Sequence, residues 1–210
     1  MENQEFRPDI RMGKLLLVEG MDEVNFFACL LSHMAMLDVQ VIQLAGKDHF
    51  HRRFPLILNS KHFHQVRAYA ILRDADQDPD NAFKSVAHLL RKYGQPTPAQ
   101  AGGIQDASGL RTGIYILPGD RQSGMLENLV LEAAAIPEAR ECVEIFMGCV
   151  TRLPVELQPH NKAKSKAKAY LAAMQEDVPS VGIASQKGYW NLDHPTLSPL
   201  KQFLHEVFSP

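Results

Sequence analysis

Three carboxylates open the chemistry of this chain: Glu19, closing the apolar run KLLLVEG, and Asp74 and Asp76, closing the run VRAYAILRDAD. An Asp-x-Asp pair in extended chain points both side chains to one side. Hard oxygens so paired suit Mg²⁺, with Mn²⁺ as substitute, an ion that keeps waters and takes phosphate oxygens. The expected chemistry is metal-assisted attack on a phosphodiester, with the ion stabilising charge on the phosphate and its leaving oxygen. Glu19 would relay a proton or share the ion. A plainer reading stands beside it: Asp residues after a strand are turn formers, and Glu19 faces the positive N-terminus of the next helix.

Two other readings of DADQDPD are weaker. An EF-hand loop needs Gly at its sixth position and Glu at its twelfth, where this chain has Pro79 and Ser85. A haloacid-dehalogenase-like phosphatase would use Asp74 as nucleophile and Asp76 as acid/base. That family's DxDx[TV] motif ends its first strand, whereas here Asp78 stands in the Thr or Val place, leaving it a minor alternative. Candidate contacts to phosphate or nucleic acid are Gly46, Lys47, Arg73 and Lys187. A glycine at a strand end lets backbone approach a phosphate, and a lysine supplies charge; a simple strand-to-helix turn explains Gly46-Lys47 equally well. Lys187 precedes Gly188, Tyr189 and Trp190, which would stack on a base or, for Trp190, anchor the C-terminal part to the core. Lys162, Lys164, Lys166 and Lys168 repel at i, i+4 and invite a polyanion, although a solvated helix face accounts for them too. His49, His51, His62 and His64 lie at i, i+2 and complete no zinc motif.

The elements that must position these groups follow from hydrophobic patterning. The runs from Lys14, from Asp38, from Val66 and from Thr112 read as strands, the first short and apolar enough to be buried on both faces. Helical spacing of Val24, Phe27, Leu31 and Met34 predicts a helix from Asp22 to about Leu37. Further helices are expected over 47–59, with Pro55 kinking it or near its start, and over 81–93. Repeated strand-helix units predict a three-layer α/β fold with a mainly parallel, Rossmann-like sheet and a ligand site off the carboxyl ends of its strands. Residues 94–109, rich in Gly, Pro and Ser, read as an excursion or lid loop. Beyond Gly124 the chain reads as helical, over 124–135, 137–149, 162–176 and 197–208.

Length and composition set limits on this picture. With 210 residues and 45% hydrophobic content the chain can bury a substantial core. Its 22 Lys and Arg against 24 Asp and Glu give a net charge of -2, so no global basic field gathers nucleic acid. The polar N-terminal stretch and the lack of a run of about 20 apolar residues predict no leader, no membrane and a cytoplasmic protein. Cys29, Cys142 and Cys149 lack metal spacing and are expected to be small buried hydrophobes.

With VEGMDEVNFF followed by LRDADQD, the chain resembles a TOPRIM domain, the module of topoisomerases, primases and OLD-family nucleases. The order GKDxF, RDADxDP, ILPxxxxxGMLExL and QKGYWxxDxP further resembles a TOPRIM-related bacterial family known as a domain of unknown function. The resemblance implies a TOPRIM-like core over 10–136 with a helical part over 137–210 packed on it. It also implies catalytic and metal roles for Glu19, Asp74, Asp76 and Glu127, and metal roles for Asp22 or Glu23. Glu127, in a helix expected to open at Ser123 or Gly124, would otherwise serve the helix dipole. The expected activity is a Mg²⁺-dependent nuclease or related phosphodiester-transfer enzyme acting on nucleic acid. The alternative is a non-catalytic TOPRIM module that binds nucleic acid or a protein partner, with homo-oligomers possible in either case. No helicase, ATPase, zinc-ribbon or tyrosine-nucleophile segment is recognisable.

Overall fold

The computed structural model describes residues 6 and 8–209, apart from the side chains of 47 and 48. The first residues of the polar N-terminal stretch lie outside the described ones. In chain order the elements are β1 (Lys14–Val18), α1 (Met21–His33), β2 (Val39–Gln43), α2 (Lys47–Leu58), β3 (Ala68–Asp74), α3 (Pro79–Lys92), β4 (Ile104–Ala107) and β5 (Leu110–Leu117). Helices follow: α4 (Leu126–Glu132), α5 (Pro137–Val150), α6 (Lys162–Ala172), α7 (Val181–Gln186) and α8 (Ser198–Phe208). They form one 5-stranded sheet of order β2-β1-β3-β5-β4, parallel except for the β4–β5 pair. This is the α/β, Rossmann-like architecture that the strand-helix alternation predicts.

Strand side chains alternate between two faces, and the burial follows that alternation. Leu15, Leu17, Tyr69 and Ile71 enter one apolar cluster with Phe50 and Phe54 of α2 and Val86 and Leu90 of α3. Leu16, Val18, Ala70 and Leu72 enter the other, with Phe26 and Leu30 of α1 and with side chains of α4 to α8. One apolar cluster therefore runs across the expected division at residue 136. Its closest approach is at Gly113 of β5, where a Cβ would stand 2.6 Å from Val207 and 2.7 Å from Phe203. Only a residue without a side chain lets α8 lie directly on the sheet there.

Some local expectations change. Residues 94–109 hold a strand, β4, whose partner β5 supplies the hydrogen bonds; it turns back at Ser108 and Gly109, both with positive φ. Its four residues have a mostly exposed, polar pattern that leaves no periodicity to read. Pro55 sits inside α2, in its last turn. Helix α4 opens at Leu126, later than expected, because Asn128 Oδ1 accepts the N–H of Met125 and caps it there. Cys142 and Cys149 are exposed, contrary to expectation, since no described residue covers them on the outer side of α5, while Cys29 is half-buried. Trp190 is an anchor: it is 2% exposed, donates to the Val181 carbonyl at 2.9 Å and stacks on Tyr170. Among the described residues no helix is long and apolar enough to cross a membrane.

Candidate functional site

Parallel pairing of β1 with β3 and of β3 with β5 brings their carboxyl ends to one edge. Glu19 leaves β1 at that edge, Asp74 ends β3, and the chain turns at Gly20 into α1, whose first turn carries Asp22 and Glu23. After Asp74, Ala75 N–H bonds to the Leu117 carbonyl, and Asp76 exchanges two backbone hydrogen bonds with Gly124, at 2.9 and 2.8 Å. Those bonds draw the 118–124 loop over the end of β3. Asp76 has a φ of 50°, a left-handed conformation that Asp tolerates better than most residues. The two-residue alternation expected of Asp74 and Asp76 therefore stops at Asp74, because the chain is bending toward α3. There Asp78 caps the helix by accepting the Asn81 N–H.

The start of α4 is tied to β3: Leu126 N–H donates to Asp74 Oδ1 at 3.1 Å. This places Glu127, in the same first turn, within electrostatic reach of Asp74. Burial and the negative charges of Glu19, Glu23 and Glu127 together push the Asp74 carboxyl up to about 8. Glu19 is raised by burial, against the pull of Arg73, with Glu23 and Asp76 adding to the rise. Glu23 is raised by burial, then by Glu127 and Asp22, although backbone N–H groups of Glu23 and Gly20 hold its carboxylate. Glu127 is raised by burial and by Asp22 and lowered by Lys164. Asp22 in turn accepts the Gly182 N–H at the start of α7, at 3.4 Å. The sequence-derived carboxylates thus form one electrostatically coupled group at the sheet edge, drawn from β1, α1, β3 and α4.

The cations are arranged less simply. Arg73 Nε stands 3.3 Å from Glu19 Oε1, close enough for charge attraction. Its N–H is not aligned on that oxygen, so this buried donor has no hydrogen-bond partner. Gly46, at the N-cap of α2 with φ 84°, already donates its N–H to the Glu19 carbonyl at 2.8 Å. The side chain of Lys47 lies outside the described residues. Lys187, at the C-cap of α7, pairs with Glu176. Lys164 acts electrostatically on Glu127, and its helix starts against α4 through Asn161, whose Nδ2 donates to Met125 Sδ at 3.4 Å. Only the four alternating lysines hinted at it from sequence, and their spacing does not say which of them turns inward.

Donor type and charge fit a hard divalent cation: burial first, and neighbouring carboxylates second, raise the carboxyls of Glu19, Glu23, Asp74 and Glu127, the condition that a bound cation relieves. Their present contacts hold the oxygens apart, and among the described residues no three His, Cys, Asp or Glu side chains form a ready metal-holding set. Binding such an ion would require Glu19 to leave Arg73, or Glu23 to leave its backbone donors.

A family profile described as "Protein of unknown function (DUF3226)" matches residues 13–209. Among solved structures, the chain is similar to hypothetical protein PH0156 from Pyrococcus horikoshii OT3, at 16% identity and a TM-score of 0.57, over 94% of this chain and 95% of that one. The C-terminal region of the Burkholderia pseudomallei OLD protein aligns at 13% identity and a TM-score of 0.48, over 94% and 100% of the two chains. The C-terminal region of the Xanthomonas campestris pv. campestris OLD protein aligns at 17% and 0.39, over 92% and 98%. No curated protein matches the chain.

Proposed function

The chain belongs to the family of proteins of unknown function DUF3226, and from the site it carries we propose that it is a Mg²⁺-dependent nuclease or related phosphodiester-transfer enzyme. The observation that carries this reading is the gathering of Glu19, Glu23, Asp74 and Glu127 from β1, α1, β3 and α4 at the strand-end edge, where burial and neighbouring carboxylates raise their carboxyls. A cluster of buried like charges costs stability and persists at functional sites. The TOPRIM-like order of Glu19, Asp74 and Asp76 supports the same reading.

In this reading Glu19, Asp74, Asp76 and Glu127, with Glu23 or Asp22, would hold the cation. When bound, it would polarise the phosphodiester and stabilise charge on the leaving oxygen. Lys164, beside Glu127, supplies a positive charge for a non-bridging phosphate oxygen. Arg73 favours the ionised form of Glu19 against the effect of burial, and Glu19 would share the ion or relay a proton from an attacking water.

A second reading, a non-catalytic TOPRIM module that binds nucleic acid or a protein, is favoured by one observation, the Arg73–Glu19 pairing. Titration calorimetry with Mn²⁺ and a cleavage assay on plasmid, single-stranded DNA and RNA separate the two. The enzyme reading expects cation binding and cleavage in the natural chain, with cleavage reduced at least about a hundredfold in Asp74→Ala and Glu19→Ala. Cation affinity and cleavage both unchanged in these variants would sink it, while nucleic-acid binding without metal-dependent turnover would favour the second.

A further inference from the structure

The outer side of α5 bears a stripe with no structural use in the described chain. Ile145 is 70% exposed and Phe146 54% exposed; Cys142, Gly148 and Cys149 are exposed around them. Glu138, Ile145 and Arg152 recur every seven residues, as do Cys142 and Cys149, so they keep to one face of the helix and the turn that ends it. The opposite face, Val143 and Met147, enters the core.

Two features of the stripe point to a covering partner and to its identity. The first is charge order: acidic Glu138 and Glu141 at one end, Ile145 at the centre, Arg152 at the other end, none of the three charged groups in an ion pair with a described residue. A two-fold axis through Ile145 sets Glu138 opposite Arg152 of a second copy and Cys142 opposite Gly148, so the pattern is complementary to itself run antiparallel. The second is Gly148, where a Cβ would meet nothing within 4 Å. Glycine inside a helix is destabilising, no contact within the described chain requires it, and it would let another helix approach closely.

We infer that α5 is the centre of an isologous, antiparallel dimer interface between two copies of this chain. In such an interface each contact occurs twice, and the charge order above satisfies that condition. A stable interface buries about 800 Å² per partner, more than one short helix face offers. Leu153, Val155 and Leu157, exposed in the turn that Gln158 folds back onto Thr151 and Leu153, extend the apolar surface. The stripe takes no residue from the acidic site, so the dimer stands or falls independently of the proposed activity.

Sedimentation of the full chain across a concentration series tests the dimer, with a thermal melt of each variant to establish folding. A dimer is expected. Gly148→Leu, which meets open space in the single chain, should raise its Kd at least about tenfold. Glu138→Arg or Arg152→Glu alone should weaken it, and the two together should restore it. A short bismaleimide should join Cys142 of one copy to Cys149 of the other. A chain that stays monomeric, a dimer indifferent to Gly148→Leu and to the charge reversals, or a cross-link joining Cys142 to Cys142 would each overturn the inference.

Discussion

The backbone N–H of Leu126 donates to Asp74 Oδ1 across 52 residues of chain. One end of a helix is thereby attached to one end of a strand through an acidic side chain. An anion at a helix N-terminus is ordinarily favourable. Here burial and three neighbouring carboxylates oppose it, and the carboxyl rises from its usual 3.8 to about 8. The edge of the sheet therefore stores electrostatic repulsion.

That storage sets a pH dependence of stability. Asp74 binds its proton more tightly folded than unfolded, so its contribution is fully present below about pH 4 and is lost as pH rises toward 8. Asp74→Asn removes this loss while its Oδ1 can still accept the Leu126 N–H. Melts at pH 5 and pH 9 should show the variant gaining on the natural chain as pH rises, by roughly 2–4 °C in Tm per about 1 kcal/mol. A gap that shrinks toward high pH would contradict the assignment.

Lys164 opposes the upward shift of Glu127. Lys164→Met should leave Glu127 protonated to higher pH, moving its titration upward. Carboxyl carbon NMR of a glutamate-labelled chain reads this directly, with Lys168→Met as the control. An unchanged Glu127 midpoint would remove Lys164 from the site.

Gly113 is a test of packing alone. Alanine there meets Val207 and Phe203 at distances that real Cβ atoms do not adopt, so α8 must retreat from β5. Urea unfolding should show a loss of about 1–3 kcal/mol, the usual cost of overpacking. A neutral result would mean that α8 does not seat on the sheet as described.

How much was legible in advance follows from what each signal measures. The runs ending in Glu19 and Asp74 are apolar because both faces of β1 and β3 are buried, and that dense pattern revealed strands, order and edge together. β4 escaped because IQDA gains its place from pairing with β5, a non-local bond that its own exposed residues do not advertise. The six residues of α7 are too few to display a period, although Gly182 and Ala184 pack tightly. Sequence alone presents Arg73 as a contact for phosphate; its pairing with Glu19 comes from the fold. Nor does spacing along α6 say which lysine faces Glu127.

The position of α8 in the chain has a cost during synthesis. A polypeptide leaving the ribosome completes β3 and β5 well before the helix that packs on their face. Through that interval Ala70, Leu72 and Tyr115, on the α8 side of the sheet, meet water or a chaperone, and nascent intermediates with bare sheet faces are prone to aggregate. A stop codon ahead of Ser198 should therefore yield inclusion bodies where the longer product folds.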